Sequence, residues 1–321
     1  MPEKPQMPIL RLPTIRTRLV RGAGMILAQF GVPAGLAMAA STMFGFGPLA
    51  GLALAGATYG AAFFRAVQIG RDHDFDRAYA DAPTIPAIQD RAAVLAKRVG
   101  LAPPAVRLIG DWDFYGLDMI GDVAATTGTA IYVSSRFKRM PCAEREFVLA
   151  HEMAHMRAAD LSTQIPMRAA VQGSLFLTGV AGVAMVTAVI ATGGSVVAAF
   201  YGATWSGFFY AHHMAQKALA AKIVREQEYR ADENALRLTR DFNAAASLID
   251  RLDDTGPGGI YEEDAPQPSM FTALEKLFGT HPVRDDRMKA LRAVWREMVA
   301  ADPSLQKPRA VPLAPAPTPR P

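Results

Sequence analysis

The sequence predicts a mainly α-helical membrane protein with a small β element, organised as two transmembrane helical hairpins and a cytosolic domain. Three observations predict it. Half of the 321 residues are hydrophobic, only 20% are charged and the mean hydropathy is +0.11, a profile foreign to a disordered chain and high for a water-soluble one. The apolar residues are segregated: 43 consecutive positions, 22–64, carry no Lys, Arg, Asp, Glu or His, and 169–211 form a second such stretch of 43. The basic residues flanking both stretches fall on one side of them.

A transmembrane helix needs about 20 apolar residues to cross roughly 30 Å of hydrocarbon, so each stretch fits two spans and a turn. Gly45, Gly47 and Pro48 interrupt the first near its middle, and Gly193, Gly194 and Ser195 interrupt the second. Trp205, Tyr210, His212 and His213 make the last helix the most polar of the four. A cleaved signal peptide is the competing account of the N-terminus, with Ala37-Met38-Ala39 as a cleavage mimic. A signal core is about 7 to 15 residues long, whereas here the apolar character continues to Phe64. Lys4, Arg11, Arg16, Arg18, Arg21, Arg65, Arg71, Arg168, Lys217 and Lys222 would share one side, which the positive-inside bias makes the cytoplasm. The solitary Cys142 agrees with a reducing compartment.

The expected organisation is a basic arm (1–21), hairpin 1 (22–65), a first cytosolic block (66–165), hairpin 2 (166–216), a second block (217–304) and a Pro-rich tail (305–321) expected to be disordered. In the first block, Pro86 starts a helix with Ile88, Val94, Leu95 and Val99 as its apolar face, and Gly100 stops it. Ala105 to Ile109 and Ala130 to Val133 read as short strands. From Ala143 to Asp160 there is neither Gly nor Pro, and Glu144, Arg145 and Glu146 come early, a composition that predicts a helix.

That helix contains His151-Glu152-Met153-Ala154-His155, the HExxH pattern of zinc hydrolases. Residues four apart share a helix face one turn apart, so both imidazoles can reach one zinc at about 2.0 to 2.1 Å while Glu152 addresses the water. Random order of this composition would produce the pattern about 0.004 times, and the competing account is two histidines and a glutamate that merely solvate a helix face. A catalytic zinc takes three protein ligands and keeps a fourth position for water. The helix-compatible run Arg225-Glu226-Gln227-Glu228-Tyr229-Arg230-Ala231-Asp232 offers the third. Glu228 and Asp232 share a face, so one can bind metal and the other orient a ligand. His73, His212 and His213 read as interfacial or solvated.

Three motifs together resemble a family of membrane-bound zinc metallopeptidases that includes the bacterial heat-shock protease HtpX and the CAAX prenyl endopeptidases. They are His151 to His155, Glu228-Tyr229-Arg230-Ala231-Asp232, and Thr280-His281-Pro282 with the later Arg287, with an apolar hairpin between the first two. Thr127-Gly128 and the strand after it add to the likeness, which covers most of Ala66 to Arg292. Two spans, a block, two spans and a block look like the HtpX branch. The resemblance implies a zincin-like (gluzincin) metallopeptidase domain with one zinc per chain, held by His151, His155 and Glu228, with Glu152 as base and Asp232 behind a ligand. It also implies that His281 stabilises the oxyanion and that Arg287 pairs with Asp232 or another acidic group; taken alone, those two would read as a turn and a surface charge. Between Asp111 and Val123 the Asn-Ala-Phe-Ala run common in the HtpX branch is replaced by Phe114-Tyr115-Gly116-Leu117-Asp118.

The function these readings predict is zinc-dependent endopeptidase action on misfolded or damaged membrane proteins, in a bacterial inner membrane with the site facing the cytoplasm. The expected partners are polypeptides and the lipid bilayer, with no nucleic acid. An extended substrate is expected to add to the edge of strand Ala130 to Val133. Cleavage inside the bilayer is disfavoured by Glu144, Arg145, Glu146, Arg157 and Asp160, since one charge at mid-bilayer costs about 2.5 to 3.5 kcal/mol. The alternative function is a catalytically silent zinc-binding membrane scaffold or adaptor. It has no use for Glu152, because a structural zinc site is closed by four ligands.

Overall fold

The computed structural model describes residues 79–110, 123–160 except 128, 195–254 and 282–306, with scattered positions between 34 and 64 and between 171 and 191. The basic arm, Phe114 to Asp118, His281 and the Pro-rich tail beyond Gln306 lie outside the described residues.

Helix α1 (Pro86–Val99) begins on a proline, whose missing N–H costs nothing at a helix start. It ends at Gly100, whose φ of 70° lets its N–H return to the carbonyls of Ala96 and Lys97. Its buried face is Ile88, Ala92, Leu95, Ala96 and Val99, whereas Val94 is 45% exposed and does not belong to that face. Gln89 ties α1 to strand β1 (Ala105–Leu108): its Nε2 donates to the Pro104 carbonyl at 2.9 Å and its Oε1 accepts from the Val106 N–H at 2.9 Å.

Strands β2 (Ala124–Thr126) and β3 (Ala130–Val133) complete a three-stranded sheet of order β1-β3-β2. β3 runs parallel to β1 and antiparallel to β2, with Ala105 opposite Ala130 and Ala124 opposite Val133. All four β3 residues are buried, as a strand covered on both faces requires. Ile131 and Val133 join the main helical core, and Ala130 and Tyr132 face a second cluster in which Tyr79 meets Tyr132 edge-on at 6.2 Å. This overturns one expectation. Ala130 to Val133 is the central strand, with neighbours on both sides, so it has no edge for a substrate to join. Among the described residues the outer strands are β1, which Thr84 bridges at Arg107, and β2.

After the short helix α2 (Ser135–Arg139), α3 (Cys142–Ala158) carries the HExxH motif through the middle of the domain. Phe147, Leu149, Ala150 and Met153 bury it against α1, β2 and α4. α4 (Ser195–Thr239) is a single helix of 45 residues, about 68 Å at 1.5 Å per residue. One uninterrupted rod therefore carries the end of the second apolar stretch and the candidate third ligand. α4 stops at Arg240, whose φ is 55°. α5 (Phe242–Asp254) follows, with the Asp241 carboxylate accepting from the Ala244 N–H at 2.9 Å as an N-cap. α6 (Arg284–Ala301) packs on α4 and α5 and leads into a short 3₁₀ turn, Pro303–Gln306.

In the first apolar stretch, described positions before 43 and after 48 are helical, and Gly47 sits outside helix with φ 75°, where the hairpin turn is expected. In the second, a Cβ on Gly182 would overlap the Trp205 indole, and one on Gly202 would meet Val186 at 3.7 Å. The pairs 182/205 and 186/202 run in opposite directions, as the two arms of a hairpin do. Among the described residues no helix is long and apolar enough to cross a membrane, and much of both stretches lies outside them.

Candidate metal centre

The two HExxH histidines sit one turn apart on α3 with ring centroids 4.7 Å apart and their Nε2 atoms 3.0 Å apart. From α4, Glu228 brings Oε1 to 3.3 Å from the His155 Nε2 and Oε2 to 3.6 Å from the His151 Nε2. Among the described residues, His151, His155 and Glu228 are the group whose ligand atoms converge closely enough to hold one metal ion. Their side chains are 11 to 12% exposed, so the cluster is buried but reachable.

These distances test whether an ion fits. A tetrahedral centre with bonds of about 2.0 to 2.2 Å has ligand–ligand edges of about 3.3 to 3.6 Å; the two contacts to Glu228, one from each oxygen, fall in that range, and the 3.0 Å between the Nε2 atoms lies just below it. The imidazole tautomers fit too. The His151 Nδ1 lies 2.9 Å from Asp232 Oδ1 and the His155 Nδ1 lies 2.9 Å from Asp160 Oδ2. Each Nδ1–H therefore donates to a carboxylate, which turns the Nε2 lone pairs toward the shared point. Two facing lone pairs 3.0 Å apart repel unless a cation or a proton lies between them.

Each orienting carboxylate is itself gripped by an arginine. Arg287, in the first turn of α6, donates from Nε to Asp232 Oδ2 at 2.8 Å and from Nη2 to Oδ1 at 2.7 Å, a bidentate fork. Arg230 donates from Nη2 to Asp160 Oδ1. Asp232 and Asp160 are only 2% and 4% exposed, so neither charge is left to water. Burial alone would raise the Asp232 carboxyl, but Arg287 and the His151 hydrogen bond hold it below the ordinary carboxylate range. For His151, burial works downward and is outweighed by the hydrogen bonds to Asp232 and Glu228, so its pKa stands at about 9. His155 follows the same balance, with Asp160 and Glu228 as partners, and stands at about 10. Without an ion the site thus holds protons; with one, the ion takes their place.

Glu152 is 8% exposed, and its charge acts on His155. The structure thus brings together His151, Glu152, His155, Glu228, Asp232 and Arg287. Arg287 pairs with Asp232 among the acidic partners open to it, and Asp232 meets the His151 Nδ1 while Glu228 lies toward its Nε2. Pro282 is buried, while His281 beside it lies outside the described residues. Sequence reasoning missed Asp160 and Arg230. Asp160 reads there only as a charge flanking the motif. The available signal is its place just past the helix end, five residues beyond His155, where a turn can fold it back.

The sequence pattern of peptidase family M48 matches residues 87–294, which span every element of this centre. A protease HtpX homolog of Streptococcus agalactiae serotype Ia is 27% identical over 194 residues, covering 53% of this chain and 58% of that protein. One from Limosilactobacillus reuteri is 26% identical over 245 residues, covering 67% and 74%, and one from Janthinobacterium sp. is 26% identical over 216 residues, covering 64% and 70%. The chain thus spans less than two thirds of the length of the Streptococcus relative. No solved structure matches. With the match running from α1 into α6 through all three converging ligands, the chain belongs to peptidase family M48, as an HtpX-like member.

Proposed function

We propose that this protein is a membrane-bound zinc endopeptidase that hydrolyses peptide bonds of misfolded or damaged membrane proteins at the cytoplasmic face of a bacterial inner membrane. The observation that carries the reading is the convergence of His151, His155 and Glu228 with a carboxylate behind each imidazole and buried Glu152 beside them. One zinc per chain is the expected load, since two imidazoles and one carboxylate leave a fourth position open.

A zinc ion held there would lower the pKa of water toward about 7 and polarise the scissile carbonyl. Glu152 accepts the proton of the attacking water and returns it to the departing amine, as a general base and then a general acid. Asp232 and Asp160 keep both rings in the tautomer that presents Nε2. His281 is the proposed donor to the developing oxyanion. An extended peptide adds along β2, the outer strand packed against α3, because strand addition uses main-chain hydrogen bonds and tolerates varied side chains. Peptides with proline at the pairing positions are then cut poorly; equal cleavage refutes strand addition.

Membrane attachment rests on the two uncharged stretches and on large apolar side chains turned outward within them: Leu49 is 79% exposed, Val183 69% and Phe64 63%. The charges around α3 keep the centre outside the hydrocarbon. Glu152→Gln tests the reading directly. It retains zinc in detergent-purified protein and abolishes casein cleavage; unchanged turnover rejects Glu152 as the base, and a wild-type chain that binds zinc but cuts nothing supports the scaffold instead.

A further inference from the structure

Resting on that reading of the metal centre, we propose that Asp160 and Arg230 form a positioning pair for the second histidine ligand, equivalent to Asp232 and Arg287 behind the first. α3 ends at Ala158, and Ala159 takes φ 54°, a left-handed conformation that non-glycine residues seldom adopt. That bend folds the chain back, so Asp160 Oδ2 meets the Nδ1 of His155, five residues earlier. The other oxygen, Oδ1, accepts from Arg230. Both oxygens are thus committed, one to the ligand and one to the cation, and the carboxylate is 4% exposed.

The two relays are wired with opposite polarity. Behind His151, the carboxylate comes from α4 and its arginine from α6; behind His155, the carboxylate comes from the end of α3 and its arginine from α4. Five residues of α4, 228 to 232, therefore supply the third ligand, one orienting carboxylate and the clamp on the other. Arg230 is two positions from Glu228, hence on another side of the helix, and its long side chain carries the clamp round to Asp160. An ion held there would be tied to α4 through all three residues, directly at Glu228, through Asp232 at His151, and through Arg230 and Asp160 at His155.

The test measures zinc affinity by chelator competition and the visible absorption of the cobalt(II)-loaded full-length protein, which reports ligand geometry independently of turnover. Asp160→Ala is expected to weaken zinc binding 10- to 100-fold and to shift the cobalt bands. Asp160→Asn, which keeps an acceptor for the His155 Nδ1–H, restores part of the loss, and Arg230→Gln weakens binding in the same direction by less. If Asp160→Ala does not fold, as judged by far-ultraviolet circular dichroism, Arg230→Gln decides. Wild-type affinity and wild-type cobalt bands in the folded variants overturn the proposal while leaving the metal centre intact. A wild-type chain that takes up neither metal overturns the metal centre itself, and the positioning pair with it.

Discussion

Arg287 and Asp232 form a buried ion pair whose two halves should be energetically inseparable. Their side chains are 11% and 3% exposed and joined by hydrogen bonds of 2.7 and 2.8 Å, so solvent screening offers little discount. Arg287→Met strands a buried carboxylate against His151, and removal of one partner from such a pair costs about 3 to 5 kcal/mol. Asp232→Asn keeps an acceptor for the His151 Nδ1–H but strands the guanidinium, at a cost of similar order. The double variant removes both charges of the pair, so its cost falls below the sum of the two by about 2 kcal/mol or more. The assay is chemical denaturation of chelated, detergent-purified protein for the wild type, both single variants and the double variant. Zinc affinity measured on the wild type and the two single variants falls in the order wild type, Asp232→Asn, Arg287→Met. Single-variant costs that add within about 0.5 kcal/mol would show the two residues to be independent and refute the relay.

Three further outcomes follow from the same geometry. Glu228→Gln and His155→Ala should each take bound zinc from one per chain to well below one, measured by metal analysis; full occupancy in both would mean the ion sits elsewhere. The histidine pKa values set the sign of a pH effect. Both stand above the ordinary 6.5 in the folded, metal-free chain, so protonation stabilises that chain fully below pH 6.5, and the contribution is lost as pH rises through about 9 and 10. Chelated protein should therefore melt at lower temperature as pH climbs from 6.5 to 10 while zinc affinity climbs, since fewer protons compete; a melting temperature that rises over that range in chelator contradicts the assignment. Finally, Gly182→Leu should force Trp205 out of its place against the neighbouring helix, red-shifting tryptophan emission, with no such shift in a Trp205→Phe background.

Much of this was legible in the chain. The periodic run after Pro86, the Gly100 stop and the Gly-free stretch around His151 mark helices because capping and backbone freedom are local properties. The i, i+4 spacing of the histidines places them on one face whatever the rest of the protein does. The strands were only half legible. Ala130 to Val133 reads as a strand from its apolar residues, but whether it lies at the centre or the edge depends on β1 and β2, and β2 is three residues long with two alanines, too short and too plain for periodicity to reveal. Val94 shows the limit of an apolar pattern: it is hydrophobic, and the helix turns it outward.

By itself, the sequence determined the composition of the candidate centre: two imidazoles, a glutamate between them and a carboxylate on a second helix, with the order of the motifs indicating a family. Spacing left open which of Glu228 and Asp232 ligates, a choice the family resemblance made for Glu228, and the sequence did not show which acidic group Arg287 pairs with or that Asp160 and Arg230 lie at the centre at all. Those choices belong to the tertiary structure, because they depend on how α4 lies across α3 and how one left-handed residue, Ala159, turns the chain back. Helical spacing is dictated by bonds between neighbours along the chain, whereas a carboxylate's partner is settled by the packing of segments some 70 residues apart, where burial forces every charge to find its complement.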